Sequence, residues 1–145
     1  MKKKLMALLL ASLMVVGLVG CGGKDDNGGL IKVGIINNDP NESGYRTAND
    51  KDMKAMFTEE NGYDAEFAYS LKNDEQISAA QKFIQDGVDY LLLSAADTAG
   101  WDSVLKDAQA EGIKVILFDR TIDAGASLYE ASIVSDVAQE GQTAA

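Results

Sequence analysis

The chain has no histidine and only one cysteine, Cys21. Without histidine there is no side chain that ordinarily titrates near neutrality to act as a base. Without cysteine pairs or histidine there is no zinc-like ligand set and no internal disulfide. Basic residues are scarce as well: 13 Lys and Arg stand against 23 Asp and Glu, a net charge of −10. That balance argues against nucleic acid as a partner and against adsorption of the protein body to anionic lipid. The G-x-G-x-x-G turn of a dinucleotide site is missing after the first apolar run, where Gly34 lies inside the run. A phosphorelay receiver would need an aspartate closing the third run, and Ser94-Ala95 stand there instead. There is no internal repeat, and no low-complexity tract beyond a glycine-rich stretch at residues 22–29.

The amino terminus is of a different kind from the rest. Lys2, Lys3 and Lys4 precede an apolar stretch from Leu5 to Val16, and Leu18-Val19-Gly20-Cys21 follows. The apolar core is shorter than the ~20 residues a membrane span needs. A basic region, a short apolar core and small residues before a cleavage point make a signal peptide over residues 1–20. The pattern resembles a bacterial lipoprotein signal, cut before Cys21, whose thiol then carries lipid. Several acyl chains, at about 0.8 kcal/mol per buried methylene, anchor a protein stably. Loss of residues 1–20 removes three lysines and leaves 10 basic against 23 acidic side chains, a net charge of −13. Residues 21–30 then read as the lipidated cysteine and a flexible tether. Residues 31–145 are enough for one domain with a core.

In that domain, apolar runs of strand length alternate with helical patterns. Strands are expected at 31–36, 65–69, 88–94, 114–118 and 129–134. Helices are expected at 45–60, with Ala48, Met53, Met56 and Phe57 near a helical period, and after Asn73 or Asp74. A third follows Trp101, with Val104, Leu105 and Ala108 at i+3, i+4 and i+7. A further helix capped by Asp136 is under way where the sequence stops, which reads as truncation. The alternation predicts an α/β fold, a doubly wound parallel sheet in the order 2-1-3-4-5. The run Val115-Ile116-Leu117-Phe118 has the composition of a strand covered on both faces.

Ligands of such sheets bind at the carboxyl ends of the strands. Three loops leave those ends: 37–46, 94–101 and 119–123. They bring carboxylates (Asp39, Glu42, Asp97, Asp119), guanidinium groups (Arg46, Arg120), the Asn41 amide and the Tyr45 ring. A sugar's hydroxyls and C–H face suit this mixture, since a carboxylate accepts from hydroxyls, a guanidinium donates in parallel and an aromatic ring covers the C–H side. The alternatives are plain. Asp119-Arg120 is also what a solvated loop start looks like, Arg46 and Glu42 also suit an internal salt bridge, and Trp101 also suits the core. A carbohydrate hydrolase would use two carboxylates, but nothing in the sequence raises the pKa of one acid selectively.

The segments Glu42-Ser43-Gly44-Tyr45-Arg46-Thr47-Ala48, Ala99 to Leu105 and Phe118-Asp119-Arg120-Thr121-Ile122-Asp123 resemble the sugar-binding proteins of bacterial ABC importers. The similarity is greatest to the galactofuranose/ribose-binding branch of the type I periplasmic binding proteins. Tyr45 stands where that branch usually has Trp. The resemblance implies the amino-terminal lobe of a two-lobe receptor, with the second lobe beyond residue 145. It implies ligand contacts from Asn41, Glu42, Ser43, Gly44, Tyr45, Arg46, Asp119 and Arg120. It also implies a monomeric, non-enzymatic, cofactor-free protein held outside the cytoplasm by lipid on Cys21, delivering a monosaccharide to an ABC permease. A sugar-sensing module docking on a receptor is the alternative.

Overall fold

The computed structural model describes residues 29–144, so the signal, Cys21 and nearly all of the tether lie outside the described residues. The strands are β1 (Ile31–Asn37), β2 (Tyr63–Tyr69), β3 (Tyr90–Leu93), β4 (Lys114–Phe118) and β5 (Ala131–Ile133). The helices are α1 (Gly44–Met56), α2 (Asn73–Gln85), α3 (Asp102–Ala110) and α4 (Val137–Ala144). All strand pairs are parallel, in the order β2-β1-β3-β4-β5. The chain therefore reverses direction across the sheet between β1 and β3, and the crevice of the fold opens above their carboxyl ends.

Register decides which side chains share a face. Gly34 lies opposite Leu91 and Ile36 opposite Leu93, and these in turn face Val115 and Leu117. Ala80, Phe83, Trp101, Val104, Leu105 and Ala108 cover that face from α2, α3 and the turn before α3, and all are buried. Each large side chain buried there stabilises by roughly 1.5–3 kcal/mol. Gly34 makes the closest approach possible: a Cβ at that position would lie 2.6 Å from the Phe83 ring. Gly34→Ala must therefore push α2 off the sheet. It is expected to cost about 1–3 kcal/mol, as overpacking does, and urea denaturation with an unchanged midpoint would contradict this.

The opposite face departs from expectation. The β4 run alternates, with Val115 and Leu117 buried but Ile116 and Phe118 only half-buried, rather than covered on both sides. The helix nearest that face, α1, is mostly polar and presents Met53 at half burial, while Met56 is 60% exposed. The apolar stripe expected of Ala48, Met53, Met56 and Phe57 is thus not a core face. Polar contacts seat α1 instead: Asn37 Nδ2 donates to Asn49 Oδ1 at 2.9 Å, and the Tyr69 hydroxyl donates to Asp50. The helix also ends at Met56 rather than Glu60. Asn61 Nδ2 donates to the last-turn carbonyls of Ala55 and Met56, and Gly62 follows at φ +91°. At the start of α2 the cap position is Lys72, without a side-chain bond, not Asn73 or Asp74. Asp136 does cap α4, its Oδ1 accepting from the backbone of Ala138 and Gln139.

Asp50 makes the acid side of stability testable. Burial raises its pKa, but hydrogen bonds from Tyr69 and Lys54 outweigh that and leave it below the ordinary aspartate value. A carboxyl depressed in the folded state contributes stability that is complete above its unfolded pKa and is lost as pH falls through the folded one. Asp50→Asn should accordingly flatten the acid limb of the stability profile and leave the slope near neutrality unchanged. An acid limb as steep as that of wild type would contradict this assignment.

Candidate functional site

The loop after β1 is folded tightly onto the start of α1. Asp39 Oδ1 accepts from the Asn41 backbone at 2.8 Å and from its side-chain amide at 2.9 Å. Ser43 is the α1 N-cap and accepts from the Arg46 backbone at 3.2 Å, and the Thr47 hydroxyl ties back to the Pro40 carbonyl at 2.7 Å. Turn-forming and capping residues at these positions make such a loop rigid. The consequence is the placement of Arg46, in the first turn of α1, with its side chain only 7% exposed.

Arg46 reaches across 73 residues of sequence: its Nη1 lies 2.5 Å from Asp119 Oδ2. The same nitrogen is 3.4 Å from the Ser94 hydroxyl, and Nε is 3.4 Å from Glu42 Oε2. The guanidinium also lies 5.5 Å from the centre of the Tyr45 ring, within cation–π range. The salt bridge between Arg46 and Glu42 and the meeting of Arg46 with Asp119 are therefore both present. Tyr45 is 56% exposed. Burial of its hydroxyl and the neighbouring Asp119 carboxylate push its pKa up, against a smaller downward pull from Arg46, so it stays protonated and able to donate.

Asp119 has an unusual backbone. It directly follows β4 and has φ +65°, the one positive φ at a non-glycine among the described residues. The Arg120 N–H donates to the Phe118 carbonyl at 2.7 Å, closing a three-residue turn around Asp119 of the rare, strained form. Such a conformation costs on the order of 1–3 kcal/mol and persists only where the surroundings over-determine it, as ligand sites do. Aspartate is among the few side chains that tolerate it. Its carboxylate is used asymmetrically. Arg46 Nη1, the Ser94 hydroxyl at 3.2 Å and Arg120 Nε at 3.8 Å all approach Oδ2. The hydroxyl of Tyr45 also hydrogen-bonds this carboxylate, so Oδ1 is the oxygen that Arg46, Ser94 and Arg120 leave to Tyr45 and to a ligand.

The third loop completes the wall. Arg120 stands at the rim, 42% exposed, with Nη1 3.5 Å from the Ala96 carbonyl. Thr98 and Asp123 join the second and third loops through a 2.7 Å side-chain bond and a 2.8 Å backbone bond. Between them lies a groove of about 430 Å³, lined by residues 95–98, 119–121 and 134–135. Trp101 does not enter it. It is fully buried, with its indole N–H donating to the Asp97 carbonyl at 3.0 Å, and so belongs to the core. Asn41 Nδ2 donates within the loop and Ser43 Oγ accepts as the helix cap, and Gly44 opens the helix.

Two residues outside the sequence-based candidates prove central. Asn38 and Ser94, 1% and 0% exposed, sit just past β1 and β3, the strands that flank the crevice. Asn38 Nδ2 donates to the Ser94 hydroxyl at 3.1 Å and to its carbonyl at 3.3 Å. Polar side chains closing the two apolar runs that flank the crevice, Asn37-Asn38 and Ser94, were the signal available.

Residues 33–145 match the family model described as a periplasmic binding protein domain. The fructose import binding protein of Bifidobacterium longum is 35% identical over 141 residues, 93% of this chain and 42% of that protein. The galactofuranose-binding protein of Escherichia coli is 35% identical over 103 residues, 70% of this chain and 32% of that protein. A solved Mycobacterium smegmatis structure in complex with β-D-fucofuranose is 38% identical, with a TM-score of 0.72 over 79% of this chain and 38% of that one. The chain thus spans less than half the length of the relatives it matches.

Proposed function

The chain belongs to the periplasmic binding protein family, and on that premise we propose that its crevice binds a neutral monosaccharide for delivery to an ABC importer. The observation that carries this reading is the meeting of Arg46, Ser94 and Asp119, drawn from three separate loops to one point. Around that point stand donors and acceptors in the mixture that vicinal hydroxyls require, with Tyr45 to cover a sugar face. Asn41 to Arg46, Asp119 and Arg120 are the proposed contacts of this wall. Asp97, Glu42, Asp119 and Asp123 outnumber Arg46 and Arg120, which disfavours a sugar acid or phosphate. The family's work is binding outside the cytoplasm, and the sugars named for its relatives define a probe panel: fructose, galactofuranose and β-D-fucofuranose. Calorimetric titration with these and with fructose 6-phosphate is expected to give binding for a neutral sugar and none for the phosphate. Preference for the phosphate would overturn the reading.

A second lobe would supply the other wall, closing over the sugar by a hinge. A form carrying that lobe is expected to bind at least ~100-fold more tightly than the 145-residue chain, a difference of about 2.8 kcal/mol. Equal affinity of the two forms would exclude the two-walled cleft. Lipid on Cys21 would hold the protein at the membrane surface. Cys21→Ser should then leave an uncut, unlipidated precursor, whereas a mature chain beginning anywhere but an acylated Cys21 in the mass spectrum would contradict the anchor.

A further inference from the structure

We infer that Ser94 is a positioning residue, whose hydroxyl sets the orientation of the Asp119 carboxylate by holding Oδ2 inward and turning Oδ1 toward the crevice. A hydroxyl has one proton to donate and two lone pairs. Ser94 uses all three: it donates to Asp119 Oδ2 at 3.2 Å and accepts from Asn38 Nδ2 at 3.1 Å and Arg46 Nη1 at 3.4 Å. It has no capacity left for a sugar hydroxyl, and it is fully buried. Its role is therefore exerted through its neighbours.

Ser94 itself is held on every side. Its N–H donates to the Ile36 carbonyl at 2.9 Å, and its own carbonyl accepts from Asn38 Nδ2 and from Gln76 Nε2, both at 3.3 Å. Gln76 is in turn fixed by the Ala96 N–H at 2.8 Å and the Ser70 carbonyl at 2.9 Å. Ser94 thus transmits the geometry of β1, β3 and α2 to a carboxylate just past the end of β4. The strained backbone of Asp119 at φ +65° persists only where its surroundings over-determine it, and Ser94 and Arg46 are the side chains that meet its carboxylate there.

The consequence for binding rests on the sugar-binding reading, but the positioning can be tested without any ligand. The χ1 angle of Asp119 is read in the 145-residue chain from three-bond couplings to its Cγ. The comparison is between wild type, Ser94→Ala and Ser94→Cys. Cysteine keeps the bulk of serine but donates only weakly, so a role in packing alone would survive it. One rotamer is expected in wild type and averaging over several in both variants. A single unchanged rotamer in both variants overturns the inference, and so does averaging in Ser94→Ala with full retention in Ser94→Cys. With D-fructose as probe, Ser94→Ala is expected to weaken binding about tenfold in wild type but less than twofold in an Asp119→Gly background, glycine adopting the positive φ without strain. Equal losses in both backgrounds would also overturn it. Released rotamers without any loss of fructose affinity would uphold the positioning and count against the sugar-binding reading instead.

Discussion

Asp119→Asn is expected to weaken sugar binding ten- to a hundredfold while leaving the fold intact. Both carboxylate oxygens matter, for different reasons. Oδ2 is bound by Arg46 and Ser94, and Oδ1 is the oxygen they leave as an acceptor for hydroxyls, Tyr45's among them. An amide can satisfy only one of these. If its oxygen faces Arg46, the crevice gains an N–H where it needs an acceptor. If the amide flips, two donors oppose each other across the former ion pair. Hydrogen bonds to charged groups contribute roughly 1.5–3 kcal/mol each, and about 1.4 kcal/mol is tenfold. Asparagine is also the right shape for this position, since it tolerates positive φ as aspartate does. Asp119→Ala is the poorer probe. Alanine in the left-handed region costs about 1–2 kcal/mol, so that variant would lose stability as well as affinity. A titration in which Asp119→Asn binds as tightly as wild type would reduce Asp119-Arg120 to a solvated loop start.

Arg46→Ala should be the most damaging change in the crevice, to stability and binding together. It removes the donor from Asp119 Oδ2 and the partner of Glu42, and opens space under the Tyr45 ring. Breaking a fully buried ion pair by deleting one member costs about 3–5 kcal/mol. Asp119 and Glu42 keep 19% and 38% of their side chains in water, so about 2–3 kcal/mol is the expectation here. For a domain of this size that lowers the melting temperature by on the order of 10 °C. Sugar binding should fall by at least a hundredfold, because the guanidinium and the carboxylate it orients are lost together. Arg46→Lys is expected to recover stability only in part. An ammonium is a point charge that can meet Asp119 but cannot also align along Glu42 as the fork does. A melting temperature within a degree or two of wild type for Arg46→Ala would show that the pair is a surface contact.

The parallel sheet and its strand order were legible because the signal for them is apolar periodicity, which burial enforces directly. The same holds for Trp101, Val104, Leu105 and Ala108, whose spacing placed them on one face and whose burial bears it out. The meeting of the three loops was legible from topology. What happens inside it was not. The turn at Asp119 is set by backbone hydrogen bonds to Phe118 and Ile133, and no side-chain pattern announces it. The asymmetry between Oδ1 and Oδ2 depends on Ser94, a residue whose polarity and position after an apolar run suggested a loop start rather than a buried hub. The end of α1 was misplaced because Met56 and Phe57 continue a helical period. The side chain of Asn61 closes the helix from outside it, a contact five and six residues back that periodicity does not register. The half-buried side of the β4 run was missed for a related reason: composition shows that a strand can be covered on both faces, not that it is.

The measurement closest to the central claim is an amide chemical-shift titration of the 145-residue chain with the same neutral sugars, run to millimolar concentrations because one wall binds weakly. The account predicts saturable shifts for at least one sugar. They should be concentrated at residues 38–46, 94–98 and 119–121, and moved to at least tenfold higher sugar concentrations by Asp119→Asn. Shifts confined to the opposite end of the sheet, around Gly87, Tyr90 and Gly112, or no saturable shift with any of the sugars, would contradict it.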